Sequence, residues 1–248
     1  MRSRLAFLLI SSAIVVAVAR PVLAQPACQG QNALSAAEKT AGFVLLFDGA
    51  TFKGWHGYNG RKTPAWSIAD CALHSAGTEG NYGSDLRADI ATDKDYTNFE
   101  LSLEWKASKG GNSGLLYGVG ENPKYKAAWE TGPEYQFLDD VGFPEKLEPW
   151  QLAGANYAMH LPNDQKQLRP VGEWNTTRVV VNGKHVEHWL NGKKILEFER
   201  WTDDWNTLRA TGKWKDYPDW GKAATGRIVL QDHGSAFWFR NVKLRSLP

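Results

Sequence analysis

Residues 173–199, EWNTTRVVVNGKHVEHWLNGKKILEFE, constrain the fold more than any other stretch of this chain. Asn182-Gly183 and Asn191-Gly192 each separate two runs of β-branched, aromatic and aliphatic residues. A two-residue hairpin turn needs positive φ, which Asn and Gly adopt at little steric cost, so each pair predicts a tight reversal between antiparallel strands. Two in succession predict a three-stranded meander. At 99–106, Phe99, Leu101, Leu103 and Trp105 alternate with Glu100, Ser102, Glu104 and Lys106, which predicts a strand with one face in a core. Arg227–Gln231 and Ala236–Leu244 read as two further strands flanking Asp232-His233-Gly234-Ser235. Many short strands, few helical stretches and no repeat of fixed length predict an all-β sandwich or jelly roll of antiparallel sheets.

The N-terminus predicts export. Arg2 and Arg4 precede an apolar run, Leu5 to Ala19, and Val22-Leu23-Ala24 puts small residues where a signal peptidase cuts. The run falls short of the roughly 20 apolar residues of a membrane-spanning helix. Residues 1–24 therefore read as a secretion signal, residues 25–42 as an N-terminal arm with a helical turn near Ser35 to Thr40, and residues 43–248 as one domain without a stable membrane anchor. Losing Arg2, Arg4 and Arg20 takes the net charge from +2 to −1. Acids and bases are interspersed, so no electrostatic case for a nucleic-acid partner remains. In an oxidising compartment Cys28 and Cys71 are best read as a disulfide tying the arm to the domain. A metal or thiol site is the alternative, but nothing at ligand spacing surrounds either cysteine.

Twelve Trp and ten Phe against two Met supply flat apolar faces, which pack cores first and also stack on sugar rings. In GPEYQFLDD (132–140) an extended backbone turns Glu134 and Gln136 one way and Tyr135 and Phe137 toward the core. In RIVLQDHG (227–234) the same phase groups Gln231 with His233, opposite Leu230, and Glu104 lies on the non-core face of its strand. Carboxylates and amides fix hydroxyl groups, and histidine moves protons near neutral pH, so these residues suit a polyhydroxylated ligand. A solvated sheet face has the same periodicity. His185 and His188, three apart in a strand, face opposite ways and do not share a metal. No HExxH, EF-hand, P-loop or dinucleotide fingerprint is present, and Ser113 reads as a turn residue. Residues 200–225 read as a long loop with room for one helical turn, able to roof one end of a sheet.

LFDGATFKGW (46–55), NFELSLEWKASKGGNSGLLY (98–117), GPEYQFLD (132–139), VGEWN (171–175), HVEHWLNGKK (185–194) and GRIVLQDHGSAFWFRNVKLR (226–245) resemble, in order, the 3-keto-disaccharide hydrolases, also described as 3-keto-glycoside lyases and hydratases. The resemblance implies a concanavalin-like jelly roll, export to a Gram-negative periplasm, and small carbohydrate substrates already oxidised at carbon 3. A ketone there acidifies the carbon-2 hydrogen, so that a base can form an enolate, the aglycone leaves from carbon 1, and water adds back. Strand phase together with motif position makes His233 the leading base and Glu134 the leading acid or second base. Asn112, Gln136 and Gln231 would bind hydroxyls or the enolate, with Glu104, Asp139 and Lys213 as secondary substrate contacts. No cofactor is predicted; a divalent metal could assist but finds no clear ligand set. Many relatives carry Arg or His where this chain has Gly118. The competing readings are a carbohydrate-binding protein without catalysis, a two-carboxylate glycosidase using Glu134 and Asp139 at roughly 5–10 Å, and a sandwich serving only structure or protein contacts.

Overall fold

The computed structural model describes residues 28, 30–77 and 88–248; the predicted signal, 1–24, lies outside the described residues. Two antiparallel sheets face each other. The smaller runs β2 (Trp55–Gly57), β5 (Ile90–Thr92), β12 (Arg227–Leu230), β7 (Asn112–Val119), β8 (Glu134–Leu138). The larger runs β11 (Lys193–Glu199), β10 (His185–Leu190), β9 (Asn175–Asn182), β6 (Phe99–Ala107), β13 (Ala236–Ser246), β4 (Ala72–Ala76), β3 (Trp66–Ala69), and β1 (Val44–Leu45) shares one side of β13 with β4. This is the predicted all-β sandwich of jelly-roll type.

The meander is β9–β10–β11, and its two turns differ. Asn191 and Gly192 both have positive φ (47° and 81°), as a type I′ turn requires. In the first turn Asn182 pairs with His185, so residues 183–184 form the loop, and only Gly183 (φ 59°) is left-handed. That is the type II′ pattern. Period-two burial holds along β6 except at Glu100, which is buried beneath Arg178 and Arg245, and the inner faces of both sheets meet in one core: Trp105 of β6 lies 4.8 Å from Phe137 of β8, and Phe137 lies 5.8 Å from Phe239 of β13.

Cys28 and Cys71 form a disulfide with a Cα–Cα distance of 5.8 Å, tying the arm to the sandwich. The arm's helix, α1 (Ala36–Thr40), starts on a Ser35–Glu38 capping box. Residues 200–225 are more helical than the sequence predicts. Thr202 accepts the Trp205 N–H and opens α2 (Asp203–Thr211), and a 3-10 turn follows at Lys213–Asp216. Trp205, Trp220 and Trp214 stack in series at 5.4 and 4.4 Å, so burial of aromatic faces stabilises a segment whose mixed polar composition hides its helix. Ser113 likewise lies inside β7, not in a turn, and donates its Oγ–H to the Gln231 carbonyl at 2.8 Å. Among the described residues no helix is long and apolar enough to cross a membrane.

Candidate functional site

Sheet register brings the site together. Leu230 pairs with Ile90 on one side and Leu115 on the other, and Gly114 pairs with Gln136. One step along the ladder, Asp89, Gln231, Gly114 and Gln136 therefore form a row across four strands. Their neighbours Ile90, Leu230, Leu115 and Phe137 are all in the sandwich core, so the row faces outward. Glu134, two residues before Gln136, shares that face. Ordinarily this face would meet solvent. Here loops cover it.

Residues 154–157 pair with the free edge of β8, with Gly154 N–H donating to the Gln136 carbonyl and Tyr157 N–H to the Glu134 carbonyl, at 2.8 and 3.1 Å. Trp214 Nε1 donates to the Tyr157 carbonyl at 3.3 Å, which anchors the tryptophan stack above the sheet. Between sheet and loops lies a hollow with two lobes. The first, about 100 Å³, is lined by Asn112, Glu134, Gln136 and Lys213 under Tyr157 and Trp214. The second, about 170 Å³, is lined by Tyr58, Arg61, Asp89, Lys126 and Asp232. Trp129, Gln231 and His233 line both.

Glu134 is 5% exposed. Its side chain lies over Gly114, where a Cβ would come within 2.0 Å of Oε1. Burial pushes its pKa up to about 8, opposed by Lys213 and reinforced by Asp89. Lys213 is held down by burial, with Glu134 opposing, and its Nζ sits 4.2 Å from the centre of the Tyr157 ring. Asp89 is half-buried, and its Oδ1 accepts the Asp232 N–H at 2.9 Å. Burial and the Asp232 carboxylate raise its pKa to about 7 against the Asp232 N–H and Arg61. His233 is exposed at the junction of the lobes. Gln136 Nε2 reaches Asn112 Oδ1 at 3.4 Å. Among the described residues Gln231 Oε1 and Asp232 Oδ2 are buried without a hydrogen-bond partner; Gln231 belongs to the outward row, whereas the Asp232 carboxylate takes Ser75 Oγ of the opposite sheet and the Gly234 N–H on its other oxygen.

Six of the eight residues singled out from the sequence converge here: Asn112, Glu134, Gln136, Lys213, Gln231 and His233. Two do not. Glu104 belongs to β6 in the opposite sheet, where its carboxylate takes Arg240 Nε at 2.7 Å and Asn241 Nδ2 at 2.9 Å. Asp139 lies past the end of β8 and organises a turn, accepting the N–H groups of Gly110, Val141 and Gly142. Asp139 instead borders a mostly apolar cavity of about 570 Å³ formed with Trp105, Leu138, Leu168 and Val171, so it does not pair with Glu134 in one cleft. Asp89, Arg61, Trp129 and Tyr157 escape sequence reasoning. Gly118 has φ 62° at the register shift between β7 and β12, with Gly226 packed against it, and lines neither lobe.

Among the described residues His185, Glu187 and Glu197 bring possible metal-ligating atoms within 4.8 Å of one another. They lie on the outer face of the larger sheet, and Lys194 Nζ already sits 3.4 Å from Glu187 and is bonded to Glu197. His188 faces the core, its Nδ1 at 3.0 Å from the Gly154 carbonyl oxygen, so the two histidines point apart as their spacing predicts.

A jelly-roll sandwich carrying an aromatic-roofed polar hollow, with a neutral carboxylic acid and an imidazole in it, has the construction of a carbohydrate-active enzyme. Residues 42–245 match the sequence profile of the 3-keto-alpha-glucoside-1,2-lyase-like domain. A 3-keto-disaccharide hydrolase of Bacteroides thetaiotaomicron is 33% identical over 230 residues, covering 83% of this chain and 79% of the relative. Two crystal structures of candidate glycosyl hydrolases from Parabacteroides distasonis are similar throughout. One is 44% identical with a TM-score of 0.82, over 88% of this chain and all of the other. The second is 27% identical with a TM-score of 0.64, over 83% and 99%. This chain belongs to the 3-keto-alpha-glucoside-1,2-lyase-like family, the glycoside-cleaving hydrolases and lyases its motifs resemble.

Proposed function

We propose that the protein is an exported enzyme that cleaves 3-keto-glycosides by elimination followed by hydration. His233, accessible where the lobes join, takes the proton from carbon 2. Glu134, neutral at pH 7 because its pKa lies near 8, donates a hydrogen bond to the ketone oxygen and stabilises the enolate as charge develops there. A carboxylic acid kept protonated by burial is an effective donor to an enolate, because it is a stronger acid than water and is already in place. Lys213 adds positive potential beside it. Asn112, Gln136 and Gln231 orient the ring hydroxyls. Expulsion of the substituent at carbon 1 leaves a 1,2-unsaturated 3-keto sugar, and water added at carbon 1 completes net hydrolysis. The N-terminal apolar segment and the disulfide support the export reading, with the periplasm as the compartment.

The observation that carries this reading is the convergence of a buried neutral carboxylic acid and an accessible imidazole on one polar hollow. The test is to offer purified protein a 3-keto-glycoside and its unoxidised parent. Release of aglycone from the keto compound alone is expected, with solvent deuterium entering at carbon 2. Release from both would mark a conventional glycosidase, and release from neither a binding protein.

A further inference from the structure

We propose that Asp89 is the acid that protonates the departing glycosidic oxygen, and that the lobe it lines is the subsite for a second sugar. The assignment rests on the elimination reading above and completes it: electrons released at carbon 2 drive the carbon 1–oxygen bond to break, and the departing oxygen needs a proton, while that reading already commits His233 to carbon 2 and Glu134 to the ketone oxygen.

The order of groups along the hollow matches the order of atoms in the substrate. Glu134 and Lys213 line only the first lobe, Asp89 only the second, and His233 lines both. A 3-keto sugar with its ketone at Glu134 and its carbon-2 hydrogen at His233, where the lobes join, can extend carbon 1 into the lobe that Asp89 lines. The scale also agrees. Asp89 and Gly114 flank Gln231 in the outward row, two strand spacings apart, or roughly 10 Å. The Glu134 carboxyl lies over Gly114. A pyranose reaching from its carbon-3 oxygen to its carbon-1 oxygen, with a hydrogen bond of about 2.8 Å at each end, spans roughly the same distance.

The second lobe is built for a hydroxylated leaving group. Arg61 and Lys126 line it together with Asp89 and Asp232, a mixture of charges that favours polar ligands over an apolar ring. Gln231 lines both lobes, and its Oε1 is unpartnered among the described residues, so it offers an acceptor to a sugar hydroxyl at the junction. The Asp232 N–H at 2.9 Å fixes one oxygen of Asp89 against the wall. With a pKa near 7 a large fraction of Asp89 carries a proton at neutral pH. In the step itself the carbon 2–hydrogen bond breaks, its proton going to His233, and the carbon 1–oxygen bonding pair stays with oxygen, which takes the Asp89 proton. Asp89 ends as carboxylate and His233 as imidazolium, and solvent resets both.

The experiment compares Asp89→Asn with wild type on a 3-keto-disaccharide and on the 4-nitrophenyl 3-keto-glucoside, whose leaving group departs without an acid. We expect turnover of the disaccharide to fall about 100-fold or more and that of the nitrophenyl compound to stay within about threefold, the pattern of a lost general acid. The variant should still exchange carbon-2 hydrogen of the disaccharide with deuterated water. Retained nitrophenyl turnover doubles as the check that the variant is folded. Equal loss on both substrates, or loss on neither, overturns the role of Asp89. Lys126→Ala should raise KM for the disaccharide and not for the nitrophenyl compound; an equal effect on both overturns the sugar subsite. Wild type inert toward both keto compounds would instead bring down the elimination reading, and this assignment with it.

Discussion

Replacing Gly114 with alanine moves the Glu134 carboxyl while leaving its chemistry intact. An added Cβ would lie 2.0 Å from Oε1, 2.7 Å from the carboxyl carbon and 2.8 Å from Cγ, where ordinary contact begins at 3.4 Å. The carboxyl oxygen must therefore retreat by about 1.4 Å, away from the sheet and toward Lys213 and Tyr157. A displacement of about 1 Å in a catalytic group costs on the order of 100-fold in rate, equivalent to about 2.7 kcal/mol of barrier. Gly114 is not among the positive-φ glycines, so alanine fits the backbone. Reduced unfolded-state entropy stabilises by about 0.4–1 kcal/mol, and overpacking costs about 1–3 kcal/mol. The net, from near zero to about 2.6 kcal/mol of destabilisation, lowers Tm by up to about 10 °C, at about 2–4 °C per kcal/mol for a domain of this size. The assay is kcat on a 3-keto-glycoside beside a thermal melt, repeated in a Glu134→Gln background. Gly114→Ala should lower kcat about 100-fold in the wild-type background and change little in the second, because both substitutions disable one group. A folded Gly114→Ala protein with unchanged kcat, or a full further loss on top of Glu134→Gln, would refute the role given to the Glu134 carboxyl.

His233→Gln should abolish carbon-2 deuterium exchange and lower turnover by about 100-fold or more, as removal of a general base does; exchange at the wild-type rate would take His233 out of the mechanism. Glu134 should set a descending limb of activity near pH 8, where its neutral form is lost. Because its folded pKa lies above the ordinary 4.5, the unfolded chain ionises first and the stability cost grows from pH 4.5 up to about 8; Glu134→Gln should thus raise Tm over wild type more at pH 8 than at pH 5. Replacing Cys28 and Cys71 by serine opens a loop of sequence separation 43, worth about 4 kcal/mol in the chain-entropy account, so Tm should drop by roughly 8–16 °C. For His56, burial lowers the pKa, but hydrogen bonds to Glu121 and Asp93 outweigh it and leave the value raised. Its stabilisation is complete below the ordinary 6.5 and disappears as pH climbs through the raised value. The Tm gap between wild type and His56→Asn should accordingly close above neutral pH.

The contrast between Glu104 and Glu134 shows what alternation along a strand can and cannot encode. Both are carboxylates on the non-core side of a period-two strand, and by sequence they are equivalent. Period two separates a core face from an outer face. It carries no information on whether that outer face meets water or a loop. β6 lies in the sheet whose outer face meets solvent-facing ion pairs, so Glu104 binds Arg240. β8 is the edge of the sheet onto which residues 154–157 fold back, so Glu134 is buried. The sandwich, the meander and the outward phase of Glu134, Gln136 and Gln231 are local properties and can be read from neighbouring residues. The roof is not, because the Trp205–Trp220–Trp214 stack and Tyr157 reach the site only through tertiary contacts. Asp89 is hidden for the same reason. It precedes a three-residue strand too short to show a period, and gains meaning only when Ile90 pairs with Leu230 and sets Asp89 beside Gln231. Desolvation then does what spacing cannot. It drives Glu134 toward neutrality by burial under a loop, so the chemistry of the site is a consequence of the long-range pairing that closes it.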